Sequence, residues 1–331
     1  MAKGVLKLIL KIKKSLSLID YRLIISLMLI QLVPTLYTTL RIFFLGQLPD
    51  EYSFSIAGQL TWINLLYEII NESIILPLYY FIGKASNNKK ELGNCLKSGL
   101  LVTFLIYVVL ALLIMLFIKP MLMIMSVNKD ILAESATYIR IESIALIFSV
   151  VSSFVLVVLI TLNKVKLMYI LTGIRLILCT MIDTLLVSSL PCSLKLGVNG
   201  IAITNIIVNG AIFVISLAFL KKEEGFLFTK QKLSFSWMKE LWNVGVISGI
   251  ESFVRNFAYI VMISRMVNVV NEQGTYWVAN NFIWGWLLLP ITQLGEYIKK
   301  DVATDRYAIK NKTLGYFAIT TVVCSLWFVS I

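Results

Sequence analysis

The feature that most constrains this chain is a set of long segments that are apolar on every face. The segment from Leu100 to Ile118 contains no charged residue. A run of about 20 apolar residues can span the hydrocarbon core of a bilayer as a helix, which satisfies its own backbone hydrogen bonds. Strands of a transmembrane barrel would instead alternate polar and apolar residues over about 10 positions. The segment therefore predicts a membrane-spanning helix and excludes a barrel.

The composition extends this conclusion to the whole chain. Hydrophobic residues make up 59% of the sequence and charged residues 15%, whereas soluble domains contain roughly 45–50% and 25%. So few charges cannot coat a water-facing surface of this size. We therefore predict an all-α polytopic membrane protein.

The hydrophobic runs predict nine membrane spans in two groups. An N-lobe at 19–220 contains six spans, a basic linker occupies 221–237, and a partial second lobe at 238–331 contains three. The predicted spans are 22–46, 53–83, 97–119, 131–160, 167–190, 198–220, 238–264, 275–298 and 313–331.

The first segment, 1–18, predicts an amphipathic helix in the headgroup plane of the membrane. Leu8 and Ile12 lie on one side of this helix, and Lys7 and Lys11 lie on the other. A secretory signal peptide is the alternative, but its apolar core would not be interrupted by lysines.

The basic balance of the chain indicates its topology. The formal net charge is +12, and most lysines fall in loops that alternating spans place on the same side as the N-terminus. Cytoplasmic loops carry this excess, so we expect the N-terminus and the 221–237 linker in the cytoplasm of a multi-pass cell-membrane protein. The lipid bilayer is then the partner of the chain, and we expect no nucleic-acid role.

The residue types also limit the chemistry. The sequence contains no histidine and four cysteines that suggest neither a disulfide nor a metal knuckle. Lack of histidine removes the commonest general base and metal ligand, and no Walker-type phosphate loop is present. We therefore expect that the chain is not an enzyme and has no cofactor; whether a metal ion binds is left open.

The two lobes show traces of a parallel repeat. At one constant offset, Tyr37 pairs with Tyr259 and Trp62 with Trp284. Such duplicated bundles are common in secondary transporters.

Three motifs indicate a family. Pro34 precedes a stretch ending in Gly46, Asp183 is followed by a glycine-rich entry to the next span, and Gly249-Ile250-Glu251 lies in the seventh span. These motifs resemble those of the multidrug and toxic compound extrusion (MATE) family, within the larger flippase superfamily. The resemblance implies a MATE-like six-helix N-lobe and the first three helices of a second lobe, in a family with twelve helices. It also implies that Asp183 and Glu251 are functional acids.

One position departs from the family pattern. Arg41 stands where the family usually has an aspartate implicated in cation coupling, and a guanidinium cannot bind a metal cation or shuttle protons at ordinary pH. It must therefore neutralise an acid or face an anionic ligand. We expect Arg41 to neutralise Glu68 or Glu72, because the first two spans are consecutive and antiparallel.

Four acids are candidates for cation coupling or substrate binding, because ionisable groups at bilayer depth are costly and tend to be functional. Glu68 and Glu72 lie four residues apart and so share one helical face. Asp183 either takes part in transport or pairs with Arg175 or Arg140. Glu251 either forms the cation site of the second lobe or simply pairs with Arg255 one turn later.

Two other features are less specific. Arg140 and Glu142 are interpreted as interfacial structure. Trp62, Trp284 and Trp286 either cradle an organic cation or serve as ordinary membrane tryptophans.

The leading functional prediction is a secondary transporter. It would export organic cations or amphipathic drugs in exchange for sodium or protons, by alternating access between its lobes. A lipid or lipid-linked saccharide flippase is the alternative if the cavity proves basic, and a non-transporting membrane protein is another.

Overall fold

The computed structural model describes residues 2–224, 233–305 and 307–330, and every regular element within them is helical. The described part of the chain forms a short N-terminal helix, a first lobe of six long helices and a second lobe of four helices. Residues 225–232 of the predicted linker, including Gly225, Lys230 and Lys232, and also Arg306 lie outside the described residues.

A short N-terminal helix, which packs against the last helix at Ala308–Ser330, precedes the six long helices of the first lobe. Helix α3 is interrupted by one π-helical turn at Asn71–Ile75. Helices α1 to α7 cover Ala2–Ser17, Tyr21–Gly46, Ser53–Ala85, Lys89–Ile124, Lys129–Thr161, Val165–Leu186 and Gly197–Glu224.

Local residue choices set several of these boundaries. The Asp20 side chain accepts a hydrogen bond from the Leu23 amide at the start of α2, and Asn128 caps α5 in the same way. Side-chain oxygens at this position satisfy amide groups that a helix cannot pair internally. Helix α5 is the centre of the lobe, because it packs along α4 and α7 and its Phe154 is fully buried.

The second lobe contains helices α8 to α11. Helix α8 has a π-helical turn at Ile260–Ser264, and another π turn at Ile283–Leu287 follows α9. The four helices cover Met238–Val269, Gln273–Phe282, Leu289–Thr304 and Ala308–Ser330.

Seven of the described helices, α2 to α8, are long and apolar enough to cross a membrane. They include all six spans predicted for the first lobe. The span predicted at 275–298 consists of α9, the second π turn and α10, with a bend at Leu288 between the π turn and α10. Pro290 explains the bend: proline has no amide hydrogen and its ring clashes with the carbonyl four residues earlier.

The two lobes meet most tightly where α8 crosses the π turn of α3. Ser73 fits against Gly245 and Gly249, and a Cβ atom at either glycine would collide with it. Two small residues four apart allow such close approach between membrane helices. Nearby, Asn256 donates a hydrogen bond to the Leu65 carbonyl at 3.3 Å.

Other contacts join the lobes at the two ends of the bundle. At one end the Asp20 amide donates to the Tyr297 hydroxyl at 3.0 Å. At the other end Gln59 Nε2 donates to Asn268 Oδ1 at 2.7 Å. Between these ends the lobes separate and enclose a cavity.

Candidate functional site in the inter-lobe cavity

The cavity has a volume of about 910 Å³ and receives side chains from both lobes. Helices α2, α3, α5, α6 and α7 line it from the first lobe, and α8 and α9 line it from the second. Its ionisable lining combines three acids with three arginines: Glu68, Glu72, Glu142, Arg41, Arg175 and Arg255.

A buried ion pair lies at the first-lobe wall. Arg41 Nε donates to Asp183 Oδ2 at 2.6 Å and Arg41 Nη2 to Asp183 Oδ1 at 3.3 Å. The two side chains are only 8% and 0% exposed. Two parallel bonds between a guanidinium and a carboxylate are the strongest form of this interaction, so Asp183 is held as a fixed counter-ion of Arg41.

This pair corrects two expectations. Arg41 was expected to neutralise Glu68 or Glu72, but α2 packs along α6 and hardly touches α3, so Arg41 meets Asp183. Asp183 was expected, if structural, to pair with Arg175 or Arg140. Arg140 instead donates to the Met115 carbonyl at 3.1 Å.

A hydrogen-bond chain extends from the buried pair. Arg41 Nη2 donates to Asn205 Oδ1 at 2.8 Å, and Asn205 Nδ2 donates to Glu142 Oε1 at 2.6 Å. The Arg41 guanidinium also lies over the Tyr37 ring, 5.1 Å from its centroid. Protein groups thus occupy its Nε and Nη2 donors and one face of its plane.

The interpretation of Glu142 as interfacial structure is wrong. Glu142 is buried and lines the cavity, because α5 begins at Lys129 and carries this residue about 20 Å along its axis. The position of Glu142 deep within an unbroken helix was the sequence signal that could have identified it as part of the site. Asn205 carried no such signal.

A second ion-pair cluster lies at the junction of the two lobes. On α8, Arg255 Nη1 donates to Glu251 Oε1 at 3.3 Å, the pair expected from their spacing. Arg255 Nη2 also donates to Glu68 Oε1 of α3 at 3.4 Å. Arg255 and Glu68 are 51% and 42% exposed, and Glu251 is 72% exposed. Arg255 therefore shares its charge between the lobes.

Glu72 is the acid of this wall without an ion pair among the described residues. It is half-buried, lies in the π turn of α3 and lines the cavity one turn from Glu68. Glu68 and Glu72 therefore both line this side of the cavity. Glu68 and Glu251 share the Arg255 guanidinium, and Lys299 also acts electrostatically on Glu68.

Aromatic side chains cover the second-lobe side of this wall. Tyr259, Tyr276 and Trp284 line the cavity, and the hydroxyls of the two tyrosines are hydrogen-bonded to each other. Of the tryptophans proposed as a cradle, only Trp284 lines the cavity. Trp62 is buried behind Tyr276, with ring centroids 5.3 Å apart, and Trp286 donates to the Thr39 hydroxyl.

Arg175 is the remaining ionisable residue of the cavity lining. It is half-buried beside the Tyr37 hydroxyl. Within the described ranges it makes no ion pair with a carboxylate.

Comparisons with known proteins identify a family to which the sequence is similar and structures that share the fold. The model of the MatE family matches residues 26–185. No curated protein matches the sequence.

Solved structures share the fold at low sequence identity. The eukaryotic MATE transporter AtDTX14 superposes with a TM-score of 0.71 at 14% identity, over 95% of this chain and 70% of that one. An outward-facing multidrug resistance MATE transporter gives 0.68 at 15% identity, over 91% and 68% of the two chains. A MOP superfamily transporter from Pyrococcus furiosus, described as having a binding pocket of reversed polarity that suggests a different function, gives 0.67 at 14%, over 91% and 68%.

Proposed function

We propose that this chain is a MATE-family membrane transporter, as its match to the MatE family model over residues 26–185 and its fold support, and that it exports an amphipathic organic cation in exchange for sodium or protons. The observation that carries the proposal is the acidic and aromatic wall of the cavity. Glu68 and Glu72 lie there; Glu68 pairs with Arg255, which is shared with Glu251, and Lys299 also acts electrostatically on Glu68. Such a wall attracts a cation.

The aromatic rings give this wall a second means of recognition. A cation over the face of a tryptophan or tyrosine ring is attracted by its quadrupole, and the attraction increases as water is excluded. Tyr259, Tyr276 and Trp284 line the same cavity as the carboxylates. An amphipathic cation would place its charge near Glu72 and its apolar part against these rings.

We further propose that the coupling ion uses the same carboxylates. A sodium ion or proton that neutralises Glu68 or Glu72 would remove the attraction for the organic cation and promote its release. Asp183 is a poorer coupling site, because Arg41 already satisfies both of its oxygens. Glu251 supports the site through Arg255.

Efflux of a fluorescent organic cation from cells tests the proposal. Glu72→Gln keeps the shape of the side chain and removes its charge, so we expect export to fall about tenfold or more. Glu134→Gln is the matched control, because Glu134 is exposed near the start of α5 and lies outside the cavity lining. Equal efflux by wild type and Glu72→Gln, at equal expression, would contradict the assignment.

The orientation of the chain is part of the proposal. We place the N-terminus and the 221–237 linker in the cytoplasm of the cell membrane on the basis of the lysine distribution. A cysteine introduced at Gly225, in a variant without the native cysteines, should resist an impermeant thiol reagent in intact cells. Rapid labelling would reverse the topology.

A second candidate function is the flipping of a lipid or a lipid-linked saccharide. The observation that favours it is Arg175, which lines the cavity without a carboxylate partner among the described residues. A guanidinium in this setting suits a phosphate group. Lipid scrambling by reconstituted protein that is lost in Arg175→Gln, without cation efflux, would favour this function over cation export.

A further inference from the structure

The geometry around Arg255 suggests how a substrate cation enters the acidic wall. We propose that Arg255 holds the place of the transported cation on Glu68, and that a substrate bearing N–H donors displaces it onto Glu251. This inference rests on the proposed cation export and adds to it a class of substrate: protonated amines, amidines and guanidines.

Arg255 can leave Glu68 because it has another partner on its own helix. Glu251 lies one turn earlier on α8 and already accepts a hydrogen bond from Nη1 at 3.3 Å. Leaving a buried charge without a counter-ion would be strongly unfavourable, but the displaced guanidinium keeps one carboxylate. The exchange therefore leaves Arg255 paired.

The bond to Glu68 is also weak enough to exchange. Both side chains are about half-exposed to the cavity, and the Nη2–Oε1 distance is 3.4 Å. Ion pairs in such surroundings contribute little, because water solvates the separated charges almost as well. A ligand of moderate affinity can then compete with Arg255.

The competition selects cations that donate hydrogen bonds. When Arg255 withdraws, the Glu68 carboxylate loses an N–H donor, and an ionised carboxylate can only accept. An amidine or a primary amine restores that bond, while a quaternary phosphonium supplies charge alone. Glu72, one turn away without an ion pair among the described residues, provides a second acceptor for the incoming group.

Displacement of Arg255 also changes the contact between the lobes. The Glu68–Arg255 bond joins α3 to α8, whereas the Glu251–Arg255 bond lies within α8. After exchange, Ser73 still fits against Gly245 and Gly249. Substrate binding would therefore remove a polar bond between the lobes while their closest packing contact remains.

Equilibrium binding of two fluorescent or radiolabelled cations to purified protein tests the exchange. The probes are an aryl amidine and tetraphenylphosphonium, and the variants are Arg255→Gln, Glu251→Gln and their double variant. Arg175→Gln is the matched control, because it removes one positive charge from the same cavity without freeing a carboxylate in the described part of the chain. Circular dichroism and melting curves verify that each variant is folded.

We expect Arg255→Gln to bind the amidine about two- to fivefold more tightly than Arg175→Gln does, as expected for removal of a weak internal competitor. The two variants should bind the phosphonium equally. Glu251→Gln should weaken amidine binding, because Arg255 then has Glu68 alone, and the double variant should restore it. A purely structural role for Arg255 would weaken binding instead.

Other results would overturn the inference. Equal tightening of both probes in Arg255→Gln and Arg175→Gln would mean that only the overall potential matters. Weaker amidine binding in Arg255→Gln would make Arg255 a support for the site. If neither cation bound to wild type or to any variant, the proposed cation export would fail and the exchange with it, whereas binding without discrimination defeats the exchange alone.

Discussion

The two arginine–carboxylate clusters of the cavity use the same chemical groups in opposite ways. Arg41 and Asp183 are almost fully buried, joined by two hydrogen bonds and supported by Asn205. Arg255 and Glu68 are about half-exposed, joined by one long bond, and come from different lobes. Burial and the number of bonds, more than the identity of the residues, separate a fixed pair from an exchangeable one.

This difference follows from the cost of separating charges. Breaking a buried pair leaves an unpaired charge in a low-dielectric environment, whereas breaking an exposed pair exposes both groups to water. The first lobe therefore contains a rigid wall, and the lobe junction contains a wall that can rearrange. Breaking the buried pair should therefore reduce stability more than breaking the exposed pair does.

The largest effect is expected from Arg41→Ala. Loss of the guanidinium leaves Asp183 buried without its partner, at a cost of about 3–5 kcal/mol in the free energy of unfolding. Thermal unfolding in detergent measures this loss. Asp183→Asn in the same background should recover part of it, because the amide carries no charge.

The same measurement distinguishes Asp183 from the acids of α3. Glu68→Gln or Glu72→Gln combined with Arg41→Ala should give additive losses. Rescue by either glutamine change would show that Arg41 is coupled to the acids of the lobe junction and would break the contrast between the clusters.

A smaller effect is expected from Gly249→Ala. The added methyl group collides with Ser73 at the closest contact between the lobes, and overpacking of this kind costs about 1–3 kcal/mol. Gly173→Ala is the control, because a Cβ atom there meets nothing within 4 Å. A melting temperature for Gly249→Ala at or above that of Gly173→Ala would show that α3 and α8 are not closely packed at Ser73.

Arg255→Gln should change stability less than either of these variants. An exposed ion pair contributes about 0–1 kcal/mol, so the melting temperature should remain close to that of wild type. The melting temperatures of Arg255→Gln and Arg41→Ala are compared under the same conditions. A loss as large as that of Arg41→Ala would show that both clusters are structural.

The smallest effect is expected in how ionic strength changes the coupling free energies of the two ion pairs, Arg255 with Glu68 and Arg41 with Asp183. Raising the ionic strength from about 0.01 M to about 1 M shortens the Debye length from about 30 Å to about 3 Å. The coupling free energy of Arg255 with Glu68, from a double-mutant cycle, should then fall towards zero. The coupling of Arg41 with Asp183 should hardly change, and equal sensitivity of the two would contradict their difference in burial.

The sequence predicted the parts of this site that depend on one helix. The i, i+4 spacing of Glu251 and Arg255 predicted their ion pair, and the spacing of Glu68 and Glu72 predicted a shared face. The long apolar runs predicted the membrane helices for the same reason: each depends on the local periodicity of one segment.

The partners that come from distant segments could not be predicted. Sequential spans often pack together, so Arg41 was expected to meet α3, but the lobe places α6 against α2. The bond from Arg255 to Glu68 depends on how two lobes meet, and Asn205 takes its role only because α7 lies against α5.

The π turn at Asn71–Ile75 has a consequence for the register of α3. A π turn holds one residue more than an α-helical turn, and one residue corresponds to about 100° of rotation around a helix. If the same residues formed regular α-helix instead, Ser53–Ile70 would rotate by about 100° relative to Leu76–Ala85. Glu68 would then turn away from Arg255, so the alignment of the acidic wall with the second lobe depends on the π turn absorbing one extra residue in the helix.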